Sequence, residues 1–374
     1  MRKGWEYKKL GDCTQILDSQ RKPVTKRDRK SGIYPYYGAT GIQDYVDKYI
    51  FDGRYVLVGE DGAKWSSFTQ SAFIIEGKTW VNNHAHVLRT NDFLVDSFLV
   101  YFLNYSDLDS YISGAIIRKL TQASLRNIDI PLPPKSTQLA IVSELDKINE
   151  LIRLKKEQLK DFDNLAQSLF YEMFGDPVEN EKGWEVKKLG EICTDITDGD
   201  HMPPPKSESG IPFITISDID KDTRCLNFEN TFYVPEDYYN NLKENRKPQK
   251  GDLLYTVTGS YGIPVIVKTD KKFCFQRHIA LLRPNKEILS TIFLCYWVLS
   301  DGVKFMADKV ATGIAQKTVG LNSIRKFSCI LPPLPLQQLF AQRIEQIERE
   351  KSEVQKSIQD LETLLASRMQ YWFE

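Results

Sequence analysis

The chain has 374 residues, 41% of them hydrophobic and 11% aromatic, with 50 Lys and Arg balanced by 50 Asp and Glu. That composition supports sizeable buried cores and two or three domains, and it excludes general disorder. No run of about 18 apolar residues is long enough to span a bilayer, and no charged-then-apolar leader opens the sequence, so the expected location is the cytoplasm.

The six cysteines (Cys13, Cys193, Cys225, Cys274, Cys295 and Cys329) are scattered without a Cys-x-x-Cys pair. This spacing gives neither a zinc site nor a disulfide framework, and most read as small buried hydrophobes of a reduced protein. The zero net charge hides a segregation. Residues 1–135 carry +4, 136–182 carry −4, 183–335 carry +2 and 336–374 carry −2. So mild a bias permits nucleic-acid binding without demanding it.

The chain repeats itself. Gly4-Trp5-Glu6-Tyr7-Lys8-Lys9-Leu10-Gly11 returns as Gly183-Trp184-Glu185-Val186-Lys187-Lys188-Leu189-Gly190. The stretch from Asn83 to Arg89 parallels Arg277 to Arg283, and Leu132-Pro133-Pro134 matches Leu331-Pro332-Pro333. From that junction onward the copies keep a constant offset of 199, whereas earlier shifts vary between about 179 and 195. Insertions therefore separate the globular parts and leave the segments after them in register.

Within the globular parts, Tyr55–Val58, Ile211–Ile216 and Gly251–Gly259 read as strands bounded by Gly or Pro. Ser97–Leu103 and Thr291–Leu299 read as helices. Each half then ends in a long amphipathic helix opened by a proline-rich stop. In the first, Ile141, Leu145, Ile148, Ile152, Leu159 and Phe162 step by three and four, with Lys155 interrupting. In the second, Phe340, Ile344, Ile347, Val354, Ile358, Leu361 and Leu365 hold the same register, with Lys351 at one seam position. A period of 3.5 over five heptads favours a coiled-coil seam. Gly175-Asp176-Pro177 stops the first helix, and from Gln138 to Phe174 it spans roughly 55 Å at ~1.5 Å per residue. Antiparallel pairing of the two helices is expected; the alternative folds each back on its own domain.

Catalytic signatures resolve mostly into decoys. Gly77-Lys78-Thr79 resembles the end of a phosphate loop, but Ala72 stands where the first glycine is needed, so a turn is expected. His84-x-His86 suits a metal pair on one strand face but lacks a third ligand. Glu60, Asp61 and Lys64 imitate a nuclease cluster that a polar loop explains more cheaply. Two basic segments suit phosphate backbones better: Arg21, Lys22, Lys26, Arg27, Arg29 and Lys30 in one, and Lys243, Arg246, Lys247 and Lys250 in the other. Lys64, Ser260 and Tyr261 join them as candidate DNA contacts.

Taken in order, the Gly-Trp-Glu-x-x-Lys-Leu-Gly openings, the Gly251-Asp252-Leu253-Leu254 strand leading to Gly259-Ser260-Tyr261-Gly262, the Leu-Pro-Pro junctions followed by Gln138 and Gln337, and the Ser168–Gly175 helix end resemble the DNA-specificity subunit of type I restriction-modification systems. The resemblance implies an α+β fold. Two mixed α/β target-recognition domains (1–135 and 183–335) are each followed by a spacer helix (136–175 and 336–374), with a linker at 176–182. It implies a non-catalytic chain that reads the two halves of a double-stranded DNA site, docks two modification (methyltransferase) subunits and is joined by restriction subunits. S-adenosylmethionine, ATP and Mg would then reside on those partners, with no cofactor in this chain. Competing readings are a nuclease or methyltransferase with an unrecognised site, and a protein-interaction scaffold that never touches DNA.

Overall fold

The computed structural model describes residues 5–114, 116–201, 204–313 and 316–374; Gly4 of the first opening motif lies outside them. The chain divides into two units, Met1–Glu157 with Gln355–Glu374, and Gln158–Val354, so each takes in part of both long helices.

In the first unit, strand Glu6–Lys9 pairs antiparallel with Asp129–Leu132, tying the opening motif to the junction before the helix. A six-stranded sheet follows in the order Thr14–Ile16, Ala85–Thr90, Phe51–Gly59, Ala72–Val81, Ser31–Gly38, Gly41–Val46. Its neighbours are antiparallel except where Ser31–Gly38 runs parallel to Ala72–Val81. Tyr55-Val56-Leu57-Val58 is buried throughout. Val56 and Val58 join a core with Leu10, Phe98 and Leu125, while Tyr55 and Leu57 join another with Phe51, Ile75 and Val87. A strand covered on both faces has no polar alternate positions, which explains its unbroken apolar run.

The second unit repeats the frame. Glu185–Lys188 pairs with Ser328–Leu331. A four-stranded sheet (Cys193–Asp198, Ile279–Pro284, Leu253–Thr256, Pro264–Ile266) accompanies a three-stranded one built on Ile211–Ile214. Helices Asp96–Tyr105 and Thr291–Leu299 stand where the sequence places them.

Three local expectations are corrected. Gly77-Lys78-Thr79 is not a turn but the interior of strand Ala72–Val81, where Gly77 (φ +78°) lies opposite Gly53 (φ +140°). Both glycines supply a left-handed backbone that side-chain-bearing residues resist, so the ladder bends without breaking. The strand at Ile211 ends at Ile214, because Thr215 opens a capped turn in which its backbone N–H donates to Asp218 Oδ2 at 2.7 Å. The one at Gly251 narrows to Leu253–Thr256.

The long helices run Lys135–Phe174 and Leu334–Phe373, 40 residues each. Each begins on a buried glutamine. Gln138 accepts from the Val95 N–H and donates to the Phe93 and Pro133 carbonyls; Gln337 accepts from the Ser290 N–H and donates to the Ile288 and Pro332 carbonyls. The first helix stops at Gly175 (φ +76°), whose N–H reaches Tyr171 O at 2.8 Å.

Inside the first unit, Glu144 pairs with Arg368 and accepts from Trp372 Nε1 at 3.0 Å, while Lys156 meets Glu362 at 2.8 Å. Inside the second, Asp163 meets Lys351 at 2.8 Å, and Phe170 and Phe174 pack on Phe340 at 5.7 and 5.3 Å. Rising numbers on one helix meet falling numbers on the other, so the helices pair antiparallel. Ile141, Leu145, Ile148, Ile152, Phe340, Ile344, Ile347, Val354 and Ile358 are buried; Leu159, Phe162, Leu361 and Leu365 are half-buried. The seam Lys351 is explained by its carboxylate partner.

Candidate nucleic-acid interface

The basic segment after Asp18 does two different things. Lys22, Lys26, Arg27 and Lys30 are exposed, whereas Arg21 and Arg29 turn inward. Arg29 lies over the Tyr36 ring at 4.2 Å and pairs with Asp44 at 3.2 Å, which folds the loop back on the sheet. Arg21 enters a buried charge cluster. It pairs with Glu60 and sits 3.4 Å from Asp18. His86 is 1% exposed; its Nδ1 bonds Asp18 at 2.6 Å and its Nε2 faces the Leu120 carbonyl at 2.8 Å. Lys119 completes the group, 2.6 Å from Glu60.

Two carboxylates and Arg21 thus compensate one another largely out of water, with half-exposed Lys119 at the edge, where an unpaired charge would be costly. Burial pushes the Asp18 carboxyl up, but its bond to His86, the His86 and Arg21 charges and the Val87 N–H outweigh this and hold it below its ordinary value. Glu60 is likewise held down against burial by Lys119 and Arg21. Asp18, Glu60 and His86 do place ligand-type atoms within 4.8 Å of one another, the constellation that His84-x-His86 lacks in sequence. Their oxygens already face protein cations, so the cluster acts as an ion-pair clasp. His84 itself stands in the turn before the strand and bonds Asp61 at 2.5 Å. The expectation of a polar loop fails at Glu60, which is buried at the end of strand Phe51–Gly59.

Three connections leave from this clasp: the basic loop beyond Arg21, the Glu60–Trp65 turn carrying exposed Lys64, and the paired strands Ile112–Ser113 and Lys119–Leu120. Glu60 N–H donates to His84 O at 2.8 Å, and Leu120 N–H to Glu60 O at 2.8 Å. The second unit has the same backbone frame: Val257 N–H donates to His278 O at 2.9 Å, and Val319 N–H to Val257 O at 2.9 Å. Gly62 (φ +71°) and Gly259 (φ +70°) turn both chains alike. Yet Val257, Ala280 and Thr318 stand where the first unit has Glu60, His86 and Lys119. The frame is shared and the chemistry on it is not.

In the second unit Lys243 and Lys250 are exposed, Lys250 lying 3.5 Å from Asp270. Arg246 instead approaches Asp198 at 3.5 Å and Asp200 at 3.4 Å, and Lys247 pairs with Glu244. Arg283 grips Asp252 with two bonds of 3.0 and 2.9 Å and the Lys247 carbonyl at 3.0 Å, anchoring this basic turn. Ser260 is exposed and accepts from Lys221 at 3.2 Å; Tyr261 donates to Asp308, which raises the phenol above its ordinary value. Asp18, Lys119 and the Ile116–Arg118 tip escape notice in the sequence, and His86 shows there only as half of a metal-pair spacing. The pairing of Ile116-Ile117 with Arg118-Lys119 after a glycine was the one available signal for the tip.

The Type I restriction modification DNA specificity domain family matches residues 2–161 and 181–363. A putative type I restriction enzyme specificity subunit of Haemophilus influenzae is 27% identical over 353 residues, spanning 92% of this chain and 87% of that protein. The MjaIX specificity subunit of Methanocaldococcus jannaschii is 22% identical, with 90% and 85% covered. Among solved structures, a chain from work on assembly and conformational transition of the type I restriction-modification system superposes with a TM-score of 0.61 at 19% identity, covering 100% and 98%. The type I S subunit of M. genitalium gives 0.53 at 13% identity, covering 99% and 96%. At these identities the two structures bear on the fold.

Proposed function

This chain belongs to the type I restriction-modification DNA specificity family, and from that premise we propose how its parts divide the work. It is the non-catalytic DNA-recognition component. Its target-recognition domains, 1–135 and 183–335, each read one half of a bipartite duplex site; helices 136–175 and 336–374, with the 176–182 linker, act as spacer and docking surface. Two modification subunits dock there and restriction subunits join them, carrying S-adenosylmethionine, ATP and Mg. Among the described residues no helix is long and apolar enough to cross a membrane, and we place the complex in the cytoplasm.

One observation carries this reading: two units share a backbone frame while the side chains at its loop bases differ. A framework copied with divergent tips suits two readers of unlike sequences. At ~1.5 Å per residue each helix is about 60 Å long, more than one turn of duplex at ~34 Å, so the pair has the reach to set a spacer between half-sites. Exposed Lys22, Lys26, Arg27, Lys30 and Lys64, with Lys243 and Lys250, supply phosphate contacts. Arg21, Arg29, Arg246 and Lys247 position those loops, and Ser260 and Tyr261 flank the second reader.

The test is methylation mapping of DNA from cells carrying this chain and its modification subunit, with each half swapped in turn. Each swap is expected to change one half of the methylated site and spare the other. Equal methylation of all adenine contexts would overturn the reading.

A further inference from the structure

Ile116 is 97% exposed, the most exposed large apolar side chain among the described residues, and Ile117 beside it is 71% exposed. Leaving two β-branched aliphatics in water forgoes their burial, so their position asks for an occupant. The tip that presents them is held firmly at its base. Ile112 pairs with Leu120 and Ser113 with Lys119, and Lys119 bridges on to Asp61. Gly114 turns the chain at φ +94°, where a Cβ would lie 2.2 Å from the Ile117 carbonyl oxygen. In the second unit Gly313 likewise has a positive φ, +110°, and its Cβ would lie 2.2 Å from Gln316 O. The glycine that closes the turn is retained, whereas Ile117 and Arg118 are replaced by Gln316 and Lys317.

Two cations flank the apolar tip. Arg118 is half-exposed, pairs with Asp109 at 2.8 Å and lies 6.0 Å from the Trp65 ring; exposed Lys64 lines the same surface cavity of about 500 Å³ as Ile116, Ile117 and Arg118. An apolar point flanked by Arg118 and Lys64, with Asp109 the carboxylate of the same cavity, fits a polyanion with an apolar interior, which describes duplex DNA: phosphates outside, base faces and thymine methyls within. The tip also springs from the clasp that anchors the basic loop, so it is continuous with the proposed interface.

We propose that the tip carrying Ile116, Ile117 and Arg118 enters a groove of the duplex, where Ile116 and Ile117 pack against bases of the half-site read by the first domain. Arg118 and Lys64 hold the flanking phosphates. At the matching place in the second unit Gln316 offers hydrogen bonds, so the two tips discriminate by different chemistry. This rests on the DNA-reading role proposed above.

The complex of this chain with its modification subunits provides the test. Wild type, Ile116→Ala/Ile117→Ala and Arg118→Ala are titrated with the methylated site and with duplexes scrambled in one half or the other, across a salt series. The double variant is expected to bind the intact site about ten- to a hundredfold more weakly. It should lose nothing on duplex already scrambled in the first half, and its salt slope should match wild type. Arg118→Ala should lower that slope by about one phosphate contact. Undiminished discrimination by the double variant would overturn the inference while leaving the DNA-reading role standing. So would failure of the double variant to assemble with modification subunits, which would make the tip a protein contact. A wild-type complex that does not distinguish the duplexes would refute the role and the inference together.

Discussion

Asp18 and His86, 68 residues apart in the chain, are joined by a hydrogen bond of 2.6 Å between Oδ2 and Nδ1. One residue stands at the base of the basic loop and the other inside the central sheet. The bond therefore fixes where that loop starts, and with Arg21, Glu60 and Lys119 it makes loop placement depend on ionised carboxylates.

The pH dependence follows from the two depressed carboxyls. Both are held below their ordinary values of 3.8 and 4.5, so their contribution to stability is present above those values and is lost as pH falls through the lower folded ones. Hydrogen-exchange protection of the Asp18–Lys30 backbone, taken relative to the intrinsic rate at each pH, should be retained at neutral pH and fall below about pH 4. Glu60→Gln should show fast exchange there already at pH 7. An exchange rate indifferent to both changes would contradict the clasp.

Gln138→Ala should destabilise the first unit by about 1–3 kcal/mol, since it orphans the half-buried Val95 N–H and the Phe93 and Pro133 carbonyls. Gln337→Ala should cost the second unit as much. Denaturant midpoints at unchanged slope check both.

Phe340→Ala should cost about 3–5 kcal/mol, because its fully buried ring touches Phe170, Phe174 and Tyr296 at 5.7, 5.3 and 5.3 Å. Thermal unfolding of the second unit is the measurement. A loss under 1 kcal/mol would mean that the helix pair does not share that core.

Replacing Lys26, Arg27 and Lys30 by Gln together should weaken DNA binding by the assembled complex to all sequences alike. The log–log salt slope should fall by about 0.9 for each phosphate contact removed. A change in sequence preference at constant slope would instead make these residues base readers.

Adding seven residues to each long helix should lengthen the unspecified spacer of the methylated site without altering either half. Insertion of whole heptads keeps the seam in register, so assembly should survive. An unchanged spacer would remove the ruler role.

Much of this molecule is legible in one dimension. Seam positions from Ile141 to Leu365 follow from a period of 3.5, because helical geometry ties spacing to a face locally. The duplication is visible because the glutamine-bearing junctions demand the same residues twice. Helix Thr291–Leu299 is legible for a similar reason: a capping Ser290 and an apolar run declare it within a single stretch.

What the sequence by itself determined is thus the local and the periodic: two halves, two paired long helices, and a family signature at each junction. Tertiary structure decided which charges are free. Arg21 and Lys22 are adjacent and chemically alike, yet Arg21 is buried against Asp18 and Glu60 while Lys22 stands in solvent. Whether a cation meets a phosphate or a buried carboxylate depends here on Glu60, 39 positions away, and on the Ala85 carbonyl, 64 away, and only the sheet brings those together. The same holds for Ile116 and Ile117. An aliphatic pair in sequence reads as core, and only the fold leaves it exposed at a glycine-closed tip.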